Sequence, residues 1–359
     1  MTNDLGTFTV SGEWMAACGY TGKGNRTFPV VRIMEFPGRG EGFERMFKVE
    51  MAPGKTWVVA ECRGVYLPPV TDLADAIVEL ERPGGCGATR NPIRFKQFFS
   101  IDDAKAAKAQ KVTKGWLNAI NYMAPHTSGG VGNLCAGASL GCIALCLGRE
   151  SGQAAMRKEG EENAVTLSRK AKAVYYMRER VAFLQEFALH TAKALVRARK
   201  MRRRLCVRPN GSTDIGFEGA VVDVTVELAM QLAKLLGRAV MVGRVRLMAL
   251  FPDVQFIDYT KLVRRALRSL TDPTWPANYR LTFSRSENNE SDCLEVLRAG
   301  GTVAVVSSVS RPKSWHGFRT VDGDKHDLRH LDPLAAVVWL SPKGNKAKRD
   351  SSGFVLRGW

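Results

Sequence analysis

Six short apolar segments recur through the later part of the chain, and what separates them decides what it can fold into. They are WLNAINYMAP (116–125), RLCVRPN (204–210), VQFIDYT (254–260), YRLTFS (279–284), TVAVVSS (302–308) and AAVVWLS (335–341). Continuous apolar runs of this length suit strands buried on both faces. Between them lie helical stretches. One covers about 161–204, where Tyr175, Tyr176, Val181, Leu184, Phe187, Leu195 and Val196 fall mostly at three- and four-residue steps. VVDVTVELAMQLAKLL, KLVRRALRSL and SENNESDCLEVLRAG follow the next strands. Strands alternating with helices predict an α/β fold on a parallel sheet. Six strands are enough for a partial or complete (β/α) TIM-type barrel.

Residues 1–95 differ. TFPVVRIMEF, ERMFKVEM and TWVVAECRGVYL are β-type runs broken by PGRGEG and APGK, and TDLADAIVEL reads as a helix. The chain therefore divides into an appended β-rich module, 1–95, and a barrel-like domain, 96–359, with the Gly- and Pro-rich ERPGGCGATRNP as linker. Cys18, Cys62 and Cys86 are too scattered to be ligands and are read as core or incidental.

Eight cysteines at irregular spacing do not make a disulfide framework, yet Cys135, Cys142 and Cys146 fall together in NLCAGASLGCIALCLGRESG. Cys142 and Cys146 are four apart and share a helix face, and Cys135 comes from the glycine-rich segment before them. The loop at 133–148 is read as a metal site, either zinc with a fourth ligand or a [4Fe–4S] cluster with one iron left open. The competing reading makes Cys142 and Cys146 core beneath an apolar helix. His190, inside the long helix, is read as packed.

In α/β folds the working residues project from the carboxyl ends of the strands. Here those ends are polar. RPNGSTDI offers Asn210, Ser212 and Asp214, FIDYTK offers Asp258 and Lys261, and LTFSRSENN offers Ser284, Glu287 and Asn288. VDGDKHDLRHLD adds Asp322, Asp324, His326, Asp327, Arg329 and His330. Asp214, Asp258, Lys261 and Glu287 are the catalytic candidates; Asn210, Ser212, Ser284 and Asn288 are candidates for holding a cofactor. Turn formation and helix capping are the plainer roles for the same residue types.

The chain carries 53 Lys and Arg against 35 Asp and Glu, a net charge of +18, which favours an anionic partner and above all nucleic acid. Seven cations crowd RARKMRRRLCVR at 197–208, among them Arg199, Lys200, Arg202, Arg203 and Arg204. Arg264, Arg265 and Arg268 follow the FIDYTK strand, and KGNKAKR at 343–349 is a further patch. No apolar run is long enough to span a membrane, and no secretion signal is read, so a cytoplasmic location is expected. Oligomeric state has no signature.

From about 104 to the end the chain resembles a phage and mobile-element family, the gene product 88 type. The resemblance rests on YMAPHTSGGVGNLC, CAGASLGCIALCL, VRPNGSTDI, FPDVQFIDYTK, PANYRLTFSRSENN, VDGDKHDLRHLDP and SPKGNKAKRDSSGF. A fainter likeness is to the phage gene product thirty-seven/sixty-eight family. There a three-cysteine cluster is followed by strands ending in Ser-Asp, Thr-Lys and Ser-x-Glu, matched here by Thr213-Asp214, Thr260-Lys261 and Ser284 to Glu287. That likeness implies a radical S-adenosylmethionine (SAM) enzyme whose Cys135, Cys142 and Cys146 hold a [4Fe–4S] cluster. The spacing here, C-x6-C-x3-C, departs from the usual C-x3-C-x2-C, and the Gly-Gly-Glu segment is absent. Three functions compete: a radical SAM-like enzyme acting on nucleic acid, a zinc-containing base-exchanging transglycosylase with Asp214 or Asp258 as nucleophile, and a non-catalytic zinc-stapled nucleic-acid-binding protein.

Overall fold

The computed structural model describes residues 98–101, 115–156 and 161–358, together with five strands between 7 and 62. The chain divides into two compact units, Met1–Arg94 and Phe95–Trp359. In the first, β1 (Thr7–Val10) and β2 (Arg26–Pro29) pair antiparallel. A separate antiparallel sheet joins β3 (Arg32–Pro37), β4 (Phe43–Ala52) and β5 (Lys55–Cys62). TFPVVRIMEF is thus two strands of different sheets. The TDLADAIVEL helix, the ERPGGCGATRNP linker, Cys18 and Cys86 lie outside the described residues.

The second unit is built on a sheet that follows the chain. Its strands are β6 (Trp116–Ile120), β7 (Arg204–Arg208), β10 (Val254–Thr260), β11 (Tyr279–Ser284), β12 (Val303–Val306), β13 (Ser314–Trp315), β14 (Phe318–Asp322) and β15 (Val337–Leu340), while β8 (Val221–Val224) and β9 (Gly243–Arg246) form a separate antiparallel pair. The six expected strands β6, β7, β10, β11, β12 and β15 are neighbours in that order, and every pair is parallel. β14 continues the sheet parallel to β15, and β13 ends it antiparallel. β6, β7, β10, β11 and β12 are therefore added to one edge in chain order; the chain then crosses to β13 at the far edge and returns through β14 to β15, which is inserted beside β12.

The helices fall between these strands. α1 (Leu140–Ala144) and α2 (Leu147–Glu150) sit in the loop after β6. α3 (Ala164–Arg178) and α4 (Arg180–Lys200) lead to β7, α5 (Val226–Leu236) joins β8 to β9, α6 (Val263–Thr271) and α7 (Glu290–Arg298) follow β10 and β11, and α8 (Asn345–Lys348) follows β15. Local signals start two of them. Asn163 and Thr166 form a reciprocal capping box on α3, and the Thr225 hydroxyl accepts the Leu228 amide at the start of α5. VVDV is a strand rather than the beginning of α5, because Thr225 caps the helix after it.

The single helix expected over about 161–204 is two, broken at Glu179, whose backbone is non-helical. No glycine or proline marks the break. It brings Tyr175 and Tyr176 of α3 onto Phe183 of α4, with ring centroids 5.7 and 5.2 Å apart. His190, on α4, stacks on Phe98 at 5.3 Å, packed as expected.

One face of the sheet is apolar and covered by helices. Phe283, Val303, Val305, Val337 and Trp339 meet Ala266 of α6 and Cys293, Val296 and Leu297 of α7. Each large apolar side chain buried this way contributes about 1.5–3 kcal/mol. Alternation sends Cys206 and Ile257 to the opposite face, where they meet Trp116 and Leu328.

That contact relocates part of the expected rim. Leu328 and Arg329 are fully buried, and His330 lies edge-on to Trp116, the first residue of β6, at 4.4 Å. Arg280, near the start of β11, donates to the His330 and Asp332 carbonyls. Residues 328–332 therefore close the amino end of the strands rather than lining the carboxyl end. The VDGDKHDLRHLD stretch begins on the last two residues of β14, a strand whose polar residues hide it in the sequence. Burial, aided by nearby Arg204 and Arg280, lowers the His330 pKa from 6.5 to about 4. Between those values the unfolded chain binds the proton and the folded chain does not, so stability is lost as pH falls from about 6.5 toward about 4. A His330→Phe variant should show a shallower loss of melting temperature across that window than the parent. Parallel curves would mean that His330 titrates normally.

Candidate functional site

The loop after β6 carries Cys135, Cys142 and Cys146, and it lies across the carboxyl ends of β7, β10 and β11. Its anchors are specific. The Asp214 amide, beyond β7, donates to the Leu134 carbonyl at 2.9 Å. The Cys135 thiol donates to the Ser212 carbonyl at 3.6 Å and accepts the His126 amide at 3.2 Å. The Gly137 Cα faces Lys261 and Leu262 beyond β10. Glu287, beyond β11, reaches the start of α1: its carboxylate accepts the Ser139 hydroxyl at 2.7 Å and the Gly141 amide at 2.8 Å. Ser139 in turn accepts the Cys142 amide at 3.2 Å as the helix cap. Partial burial opposes it, but these donors hold the Glu287 carboxyl below its usual range. Both its oxygens are thus occupied in holding the cysteine helix.

The three thiols sense one another. Burial, with smaller contributions from Cys146 and Cys142, pushes the Cys135 thiol up to about 12, against the His126 amide. Burial also raises Cys142, while Lys261 pulls it down. Cys146 is raised by burial and by Cys142, and lowered by the Gly148 amide. Among the described residues no three His, Cys, Asp or Glu side chains stand as a ready metal-ligating group.

Lys261 is the cation of the site. Its ammonium donates to the Ser284 and Arg285 carbonyls at 3.3 and 3.1 Å and lies 5.0 Å from the centre of the Phe354 ring. Desolvation lowers its pKa, while Cys142 and Asp214 raise it. Ser284 thus contributes its carbonyl, and Asn288 is exposed, accepting the Ser286 hydroxyl. The Ser212 hydroxyl donates to the Met123 carbonyl at 2.6 Å.

Beneath Lys261 is a buried polar network. Asp214 accepts the Thr260 hydroxyl, the Lys261 amide and the Arg265 guanidinium at 3.0, 2.9 and 2.7 Å. Arg265 also binds Glu218 at 2.8 Å and the Tyr279 hydroxyl at 2.9 Å. Asp258, fully buried, accepts the Tyr279 hydroxyl at 2.7 Å and the amide and side-chain amide of Asn210 at 2.8 Å each. Desolvation raises Asp258 to about 6 against these donors. Arg265 is thereby corrected: it is 7% exposed and turned inward, so it is not part of a surface for nucleic acid. Thr260 joins the network from the Thr-Lys strand end, and Glu218 and Tyr279 join it without any signal in the sequence beyond being polar.

The remaining basic candidates are on the surface. Arg199, Lys200, Arg202, Arg204, Arg264 and Arg268 are exposed, and Arg203 is half-buried. Arg199 pairs with Asp253 and Arg268 with Asp272. Arg204 opens β7 and lies over the Trp116 ring at 4.3 Å, which puts residues 197–204 at the amino end of the strands, away from the cysteines, while Arg208 ends β7 over the Tyr259 ring.

A family model described as gene product 88 matches residues 96–358. No curated protein and no solved structure matches the chain.

Proposed function

The chain belongs, over residues 96–358, to the gene product 88 family, and from that premise we propose a nucleic-acid-modifying enzyme of the radical SAM type. On this reading the second unit is an open (β/α) barrel with a cysteine-held cluster at its mouth. The observation that carries it is the cysteine loop lying over the carboxyl ends of parallel strands taken in chain order. Crossovers of constant hand along such a sheet keep the helices on one face. The opposite face carries Cys206 and Ile257 against Trp116 and Leu328, so on this reading a ligand meets the carboxyl ends of the strands.

The donor set fits the group in kind. Three thiols, with no fourth ligand grouped with them among the described residues, suit a [4Fe–4S] cluster with one open iron, whereas a structural zinc takes four ligands. Cluster binding requires the thiols to turn toward a common point and to lose protons that burial now holds on them. When bound, the cluster with SAM on its open iron would supply one-electron chemistry. The chain supplies the rest. Lys261 offers a positive charge beside Cys142, which eases thiolate formation there. Glu287 and Ser139 fix the helix that carries Cys142, and Asp214 holds the backbone of Lys261 in place. The exposed cations, within a net charge of +18, support a polyanionic substrate.

The transglycosylase reading has less support, since Asp214 and Asp258 each already accept three hydrogen bonds and neither presents a free carboxylate to a sugar. Protein purified without oxygen tests the proposal. Expected are about four irons per chain, lost in the Cys135→Ser, Cys142→Ser, Cys146→Ser triple variant. One zinc and no iron would return the zinc readings; no metal at all would remove every metal reading.

A further inference from the structure

Beyond β15 the chain does not leave the site. Residues 343–357 run back over the mouth as a strap. The Lys346 ammonium pairs with Glu150 of α2 at 3.0 Å, and Gly344, at φ +83°, sits so close that a Cβ would come 2.5 Å from the Glu150 carbonyl. Ala347 and Val355 pack on Leu145 between the two cysteine-loop helices, with Phe354 and Val306 beside them. Arg285 donates to the Gly353 and Phe354 carbonyls at 3.0 and 3.2 Å. The Leu356 amide donates to Val306 at 2.9 Å, and its carbonyl accepts the Ser307 hydroxyl at 2.8 Å.

This path places charge where residues 197–204 do not. Lys343, Lys346, Lys348, Arg349 and Arg357 are exposed on the strap. Glu150 and Asp324 neutralise two of them, and Asp350 turns its carboxylate inward to the Ser352 and Val355 amides. The cysteine loop on which the strap packs exposes apolar side chains: Leu140 is 84%, Ile143 36% and Leu147 45% exposed. Residues 197–204 lie a strand length away, roughly 16 Å for the five residues of β7 at about 3.3 Å each.

We propose that the strap is the phosphate-contacting surface of the mouth, and that with Leu140, Ile143 and Leu147 it holds a single strand of nucleic acid across the carboxyl ends of the sheet. The proposal rests on the nucleic-acid part of the function above and not on the cluster. Cations flanking exposed apolar side chains suit unpaired bases, whose faces need cover and whose backbone needs counter-charge. A duplex keeps its bases stacked and gains only from the cations.

Binding of a labelled oligothymidylate of about twenty nucleotides, measured across a salt series, tests it. The Lys348→Gln, Arg349→Gln variant should bind at least about tenfold more weakly, with the salt slope reduced by about 1.4, as loss of two single-strand phosphate contacts requires. A Leu140→Ser, Leu147→Ser variant should bind more weakly with the slope unchanged. If this double variant melts early, Arg349→Gln alone serves instead, with a slope change of about 0.7. An unchanged slope overturns the strap. Equal loss on duplex DNA with no effect of the leucines overturns the single-strand assignment. A wild-type chain that binds no nucleic acid overturns both this and the substrate class, while its iron content stands as a separate result.

Discussion

An Arg265→Met variant should lose about 3–5 kcal/mol of stability, read as a lower urea midpoint at unchanged slope. Methionine fills much of the volume, so the loss is electrostatic. Asp214 and Glu218 would remain nearly buried without the guanidinium that now binds both, and the Tyr279 hydroxyl would lose a partner. Leaving buried charges uncompensated is far costlier than removing a surface pair. Adding Glu218→Gln to Arg265→Met should restore part of the loss, since one orphaned charge is gone. A single-variant loss under about 1 kcal/mol would show that water reaches the pair and that the network is not a buried one.

The Gly141→Ala variant should be nearly as damaging, by about 1–3 kcal/mol, although alanine is the better helix former. A Cβ there would lie 2.7 Å from the Ser352 hydroxyl, 2.8 Å from the Phe354 Cβ and 2.9 Å from the Glu287 carboxylate. The Phe354 Cβ cannot rotate away, so either the strap or the cysteine helix must shift. Proteolysis within 133–148 should quicken, and on the cluster reading iron should fall. Gly115→Ala, with nothing within 4 Å of the added carbon, is the control. If the two variants melt alike, the strap does not press on the loop.

Strand identity was legible because strands buried on both faces are written as unbroken apolar runs. VQFIDYT and YRLTFS coincide with β10 and β11 to the residue. The order of the sheet and the place of the cysteine loop at its carboxyl end follow from alternation with helices. β14 was hidden because FRTVD is a short segment whose pattern is half polar, and β8 because VVDV runs without a break into the apolar face of α5. In the site, polarity was legible but pairing was not. Arg265 reads as one more cation on a basic helix, and its partners Asp214 and Glu218 stand 51 and 47 residues away. Glu287 was legible as a rim residue, yet its work on the Ser139 cap depends on a contact 148 residues distant.

The strap has a consequence for how the protein comes into being. The cysteine loop is synthesised just after β6, but Ala347 and Val355, which cover Leu145, are made only after every strand of the sheet. Contacts between such distant segments form late. On the ribosome the three thiols therefore spend most of the unit's synthesis beneath an open roof. Delivery of any metal, and accidental oxidation of the thiols, would both be easiest in that interval, before the strap settles.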